Sequence, residues 1–138
     1  FSSYLGMITP DFSLTSSMPL QDRIWSVWRS RAIGAYFRSR GITVVPNIRW
    51  AFVEDLTWTL DGLNDVNDVA VSTQGLVSDH RLTECLVDGL GVLAQQLPES
   101  TLFLYGPLPK SIRKTLELFR AVRHFPSDYN RILRRRVP

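Results

Sequence analysis

The 138-residue chain is 44% hydrophobic and 21% charged, with 8 Gly, 8 Pro and a single Cys, a composition of one folded domain that excludes collagen, low-complexity and disulfide-scaffold classes. No apolar run approaches the roughly 18 residues of a membrane span, and Phe1 to Met7 lack the basic start and long apolar stretch of a signal peptide, so a cytoplasmic domain is expected. Cys85 has no partner for an internal disulfide, and one Cys with two His cannot complete a Cys/His zinc site. No metal site is expected and no cofactor is identified.

The net charge of +3 is unevenly distributed. Residues 1–50 hold six Arg against Asp11 and Asp22, residues 51–100 nine acids against Arg81, and residues 101–138 nine bases against Glu117 and Asp128. Because the chain starts at Phe1 and enters an apolar segment at once, an upstream portion is expected to be missing.

In chain order, Met7 to Leu14 reads as a strand interrupted by Pro10. Ser17 is placed to cap a helix whose first turn accepts Pro19. Leu20, Ile24, Val27, Trp28 and Ala35 recur at helical spacing, predicting a core-facing helix over about Pro19 to Arg40 with Gly41 as its stop. Ile42 to Val45 is a β-branched run closed by Pro46 and predicts a buried strand. A short helix is expected within Phe52 to Leu63, and a third strand over Asp68 to Thr73. Ser78 then caps a helix reaching Leu97, with Leu82, Leu86, Leu90, Leu93 and Leu97 on one face. Thr101 to Tyr105 is the fourth strand. A helix from about Lys110 to Arg123 and a last one over Ser127 to Arg136 complete the reading.

This alternation predicts one α/β domain over residues 1–138: a parallel sheet of about four strands with covering helices, as a small doubly wound sheet or a half-barrel, lacking an upstream strand, with a basic helical segment from about residue 109. In both arrangements ligands bind where the strand C-terminal ends converge. Polar residues leave each strand there: Asp11 and Ser13, then Asn47 and Arg49, then Ser72, Thr73 and Gln74, then Tyr105. Gathered at one rim, they offer Asp11 as an acid–base group and Arg49 as charge stabiliser. The plainer alternative is that Asp11 and Arg49 simply pair.

Other motifs favour structural roles. Gly106-Pro107-Leu108-Pro109-Lys110-Ser111 sits where a phosphate loop would, yet its prolines remove backbone donors, which favours a rigid helix start. Gly89-Leu90-Gly91-Val92-Leu93-Ala94 formally matches the dinucleotide fingerprint G-x-G-x-x-A but lies within the leucine stripe and not just after a strand, so close helix packing is expected. The acidic run from Asp61 to Asp68 lacks calcium-loop spacing and reads as a solvated turn. His80 is expected at a helix start and His124 near a helix end, while Cys85 falls at the core boundary. Arg113, Lys114, Arg120, Arg123, Arg131, Arg134, Arg135 and Arg136, interleaved with Phe119, Phe125 and Tyr129, form the basic concentration on which nucleic-acid binding would rest.

Pro10-Asp11-Phe12-Ser13-Leu14, Met18-Pro19-Leu20, Ile24-Trp25, Arg31-Ala32-Ile33-Gly34, Val45-Pro46-Asn47-Ile48-Arg49-Trp50, Asp61-Gly62-Leu63, Val71-Ser72-Thr73-Gln74-Gly75 and Tyr105-Gly106 occur in this order. The set resembles, over about residues 1 to 108, a phage and mobile-element family catalogued as domain of unknown function four-four-one-seven. The resemblance implies a further β-rich segment upstream, a mobile-element or prophage setting, and Asp11, Asn47, Arg49, Trp50, Ser72 and Tyr105 as signature positions; a plain structural role is also open to Trp50, as a wedge at the rim. It implies no activity.

Together these readings lead to an accessory protein that takes a phosphate-bearing or other anionic ligand at the rim. Arg49 would hold the anion, with Ser13, Asn47, Trp50, Ser72 and Tyr105 around it and Lys110 adding charge, and the basic C-terminal third would contact nucleic acid. A hydrolase using Asp11 with Arg49, and a protein-interaction module that includes self-association, are the alternatives.

Overall fold

Short runs of β-branched, leucine and aromatic residues, each bounded by Gly, Pro, Asn or Ser, form strands that all point the same way. The structure, a computed structural model, describes residues 6–127. Its strands are β1 (Gly6–Ile8), β2 (Thr43–Val45), β3 (Asp68–Ser72), β4 (Thr101–Tyr105) and β5 (Ala121–Phe125). The helices are α1 (Leu20–Arg38), α2 (Leu56–Thr59), α3 (His80–Gln96) and α4 (Arg113–Leu116), with single 3-10 turns at Val53–Asp55 and Lys110–Ile112 leading into α2 and α4.

β1 pairs with β2 so that Ile8 faces Val45, and β3, β4 and β5 pair so that Ser72, Tyr105 and Phe125 share a row. An isolated parallel bridge between Asn47 and Ala70 joins these two sheets. There the Ala70 amide donates to the Pro46 carbonyl at 2.9 Å and the Ile48 amide to the Ala70 carbonyl at 2.8 Å. Spatial order therefore follows chain order from β1 to β5. A doubly wound sheet reverses its order at a switch point; the described strands show no such reversal, and they form a small α/β fold of two parallel sheets.

Side chains alternate between the faces of a strand, and here one face takes the helices. Ile48, Val69, Val71, Leu102 and Leu104 are buried against Leu86, Leu90 and Leu93 of α3, with Leu56, Ile112 and Phe119 around them. The leucine stripe thus forms the core from Leu86 to Leu97, while Leu82 at its start is exposed. Asp79 rather than Ser78 caps the helix, its Oδ1 accepting from the Arg81 and Leu82 amides at 2.8 and 3.2 Å. The close packing expected at Gly89 is present: a Cβ there would lie 2.3 Å from the Trp50 ring.

α1 corrects the sequence reading. Its buried residues are Ser26, Ser30 and Gly34, while Leu20, Ile24, Trp25, Trp28 and Tyr36 are exposed. Small residues four apart bring the helix down on β1 and β2, where a Cβ on Gly34 would meet Thr9 Cγ2 at 2.8 Å. The Ser30 hydroxyl donates to Thr9 Oγ1 at 2.8 Å, and that oxygen also accepts from the Asn47 amide at 2.9 Å. Two arginines on this side complete the attachment. Arg23 Nη1 lies 2.6 Å from Oδ2 of buried Asp55, which also accepts from the Ala51 and Phe52 amides. Arg31 Nη2 donates to the Thr59 carbonyl at the end of α2, at 2.8 Å; burial, and to a lesser extent Arg38, pushes the Arg31 guanidinium down to about 10. The inner face of α1 is thus polar, and periodicity alone mistook the outer face for the core. Ser17 does not cap this helix, whose N-cap is Pro19.

The stretch expected as one helix from Lys110 to Arg123 is instead a 3-10 turn, α4 and the fifth strand. Leu116 and Phe119 end the helical part inside the core, and Ala121 to Phe125 then add alongside β4. His124 is accordingly a strand residue, its Nε2 2.7 Å from the Gly106 carbonyl. The helix expected over Ser127 to Arg136 lies, after Ser127, outside the described residues.

Two outcomes follow from this packing. Asp55→Ala removes the partner of a buried guanidinium and two backbone acceptor contacts, and should cost about 3–5 kcal/mol in urea unfolding; a loss below about 1 kcal/mol would contradict the attachment. Burial raises the Cys85 thiol above its ordinary range, which keeps it protonated at neutral pH. Its reaction with a disulfide reagent should therefore be several-fold slower than that of a free thiol at pH 8 and accelerate only as pH rises further.

Candidate functional site

With every described helix on one side of the sheet, the other side of the described strands forms an open groove of about 1090 Å³. Its floor runs from Ile8 and Val45 through Asn47 and Ala70 to Ser72, and its far wall is aromatic. Phe103, Tyr105 and Phe125 come from the adjacent strands β4 and β5. The rings of Phe103 and Phe125 lie nearly parallel, 5° apart, with centroids separated by 5.9 Å. The Arg123 guanidinium stands 5.7 Å from the Phe103 centroid, within cation–π range. Tyr105 and Phe125 are 42% and 45% exposed.

The strand C-terminal ends converge as expected. Asp11, Asn47, Ser72, Gln74 and Tyr105 all line the groove. Arg49 is held just behind it: its Nε lies 3.1 Å from Asp11 Oδ1, and its Nη1 donates to the Ser72 carbonyl at 3.4 Å. The ion pair sets the charge of each against the other, and the Asp11 side chain keeps 40% exposure. Among the described residues no group of three or more His, Cys, Asp or Glu side chains could hold a metal.

Several singled-out residues lie elsewhere. Trp50 does not wedge the rim; its Nε1 donates to the Cys85 carbonyl at 3.1 Å while its ring packs on Gly89. Ser13 and Lys110 are exposed but do not line the groove. Arg113, Lys114 and Arg120 are exposed around α4 and the start of β5, and Arg123 is on β5 itself. Arg131, Arg134, Arg135 and Arg136 fall outside the described residues.

The Gly106-Pro107 segment is a rigid turn and not a phosphate cradle. The Gly106 amide already donates to the Phe125 carbonyl at 2.9 Å, and the Thr73 hydroxyl donates to the Pro107 carbonyl at 2.6 Å. Gly106 adopts φ 114°, where a Cβ would strike Thr73 Oγ1 at 2.7 Å, so glycine is required.

Phe103 and Asp68 also line the groove, although the sequence reading assigned them no site role, and so does Phe125, which that reading placed only among the aromatics interleaved with the basic C-terminal third. The signal for Phe103 was the alternation Leu102-Phe103-Leu104-Tyr105, in which leucines take one face and aromatics the other. Phe125 is hidden because in sequence its strand reads as the end of a helix and the loop after it.

The Gene 1 protein of Mycobacterium phage L5 is 35% identical over 124 residues, covering 90% of this chain and 53% of that protein. The Gene 1 protein of Mycobacterium phage D29 is 37% identical over 101 residues, covering 73% of this chain and 37% of that protein. The chain thus spans about half, or less, of the length of these phage relatives. No solved structure matches. The model of the family described as Domain of unknown function (DUF4417) matches residues 1–126, and the chain belongs to that phage-associated family.

Proposed function

We propose that this domain binds single-stranded nucleic acid across the open face of its sheet, within the host cytoplasm and in the service of the phage. The observation that carries the reading is the row of aromatic rings on β4 and β5, which no described helix covers. Bases of any sequence have a π-face, and an aromatic platform holds them at about 1–3 kcal/mol per stacked base. An exposed sheet presenting such rings is a recurrent way of binding splayed single strands.

In this reading Tyr105, Phe125 and Phe103 stack bases, and Asn47, Ser72 and Gln74 meet base edges along the groove floor. Phosphates run along the edge strand, where Arg123 and Arg120 supply charge, with Lys110, Arg113 and Lys114 beside it. The basic C-terminal arginines extend this charge in sequence. Arg49, paired with Asp11, holds the rim in shape and is not the principal anion anchor. That pairing also weakens the alternative of Asp11 as a free catalytic base.

The test is binding of short labelled single-stranded DNA and RNA at two salt concentrations. Affinity should fall with salt at a slope of about −0.7 per phosphate contacted, and Arg123→Ala should make that slope shallower by about one contact. Tyr105→Ala and Phe125→Ala, on half-exposed side chains, should each weaken binding by about 5-fold to 100-fold with little change in melting temperature. No binding at low salt, or binding untouched by the double alanine variant, would reject the reading. Arg49→Ala separates it from the anion-pocket model: a small loss of affinity is expected here, whereas a loss exceeding that of the aromatic variants would move the site to the rim.

A further inference from the structure

On the helix side of the sheet, a second cavity of about 10 Å³ lies between α1, the end of α2 and residues 10–14. That is room for a single species the size of a water molecule. Two arginines, Arg31 and Arg49, reach it together with the hydroxyl residues Ser26, Ser30 and Thr59, and among the described residues no carboxylate lines it. The Arg29 guanidinium adds positive charge beside one wall, standing 4.2 Å from the ring centroid of Phe12.

Charge is out of balance at Arg31. Arg49 faces Asp11 and Arg23 faces Asp55, whereas Arg31 forms no ion pair among the described residues. Its Nη2 donates to the Thr59 carbonyl at 2.8 Å, while its Nη1 is buried with no partner among those residues. Burial and the like charge of Arg38 push the guanidinium down only to about 10, so it stays charged at neutral pH, and a buried charge without a counter-charge is costly. Thr59, 1% exposed, lines the same cavity with its Oγ1 equally unpartnered. Buried Ser26 accepts from Arg29 Nη2 at 3.4 Å and keeps its own hydrogen to donate.

We infer that this cavity binds one monatomic anion, chloride, held by Arg31 Nη1 and the hydroxyls of Thr59 and Ser26. The donors set the sign of the ligand. A guanidinium nitrogen can only donate, and a hydroxyl can turn its hydrogen inward, so the partner these groups share is an acceptor. Charge then decides between acceptors: a water satisfies the hydrogen bonds but leaves Arg31 uncompensated, whereas a halide does both. Size excludes phosphate, sulfate and carboxylate, which need space for several heavy atoms. The bound ion ties α1 to α2 beside the Arg31–Thr59 hydrogen bond, on the helix side of the sheet. The inference therefore stands independently of nucleic-acid binding in the groove.

Urea unfolding of the full chain is measured at fixed ionic strength in chloride and in gluconate, an anion too large for the cavity. With chloride bound at about 10 mM, the equilibrium should move about 10-fold toward the folded state at about 100 mM chloride. Thr59→Val keeps the side-chain shape and removes a donor; it should fold and lose most of this shift, while general salt effects act on both chains alike. Crystals of the wild-type chain soaked in bromide should show an anomalous peak in contact with Arg31 Nη1 and Thr59 Oγ1. Equal stability in the two salts, or a shift undiminished in Thr59→Val, would overturn the inference. A water in place of bromide would overturn it as well, and a bromide peak without chloride-dependent stability would mean an adventitious ion only.

Discussion

The main constraint on this molecule is that its strands are parallel and lie in chain order. Each connection must then cross back over the sheet, and connections of one hand place their helices on one side. α1 and α3 lie on the same face, resting on Thr9 and Val44 at one end and on Val69, Val71, Leu102 and Leu104 at the other. In a closed barrel the opposite face would be filled by side chains from the remaining strands. Among the described residues it is open, and the groove is therefore a direct consequence of topology.

The two halves of the sheet are held together differently. From β3 onward the core is mainly leucine, valine and isoleucine, with Ala94 and Phe119. The first β-α-β unit contributes almost nothing to that core and is fixed by hydroxyls, small residues and two guanidinium groups: Thr9 to Ser30, Arg23 to Asp55, Arg31 to the end of α2. A buried ion pair favours unique geometry more than net stability. Since the polar anchors occupy the inner side of α1, its aromatic residues remain outside. The exposed stripe and the buried arginines are thus two results of one choice of helix orientation.

Much of the fold could be read from the residues. The four strands were found because β-branched runs end at Pro46, Gln74-Gly75 and Gly106, and β4 was delimited by the same residues in sequence and structure. The leucine stripe of α3 was legible because its apolar residues have no competing face. α1 misled because it has an apolar face and a second, polar face that is the buried one; nothing in a single sequence says that Ser26, Ser30 and Gly34 take precedence over Trp25 and Trp28. β5 was missed for a related reason. Arg120 to Phe125 carries charged residues at an edge, which is how edge strands are protected, and that charge concealed the strand signal. Of the groove lining, Asp11, Asn47, Ser72 and Tyr105 are the residues that strand-exit position singles out, while the aromatic wall required β5 to be known.

Whether the bare sheet face is the working surface is best decided by mapping contacts on the intact fold. In a two-dimensional NMR titration with a short single-stranded oligonucleotide, shifts should concentrate on the aromatic protons of Phe103, Tyr105 and Phe125 and on the amides of Asn47, Ser72 and Gln74, with α1 and α3 unmoved. Shifts confined to the basic residues around α4, with the aromatic wall silent, would show that charge alone attracts the strand and that the open face of the sheet is not its binding site.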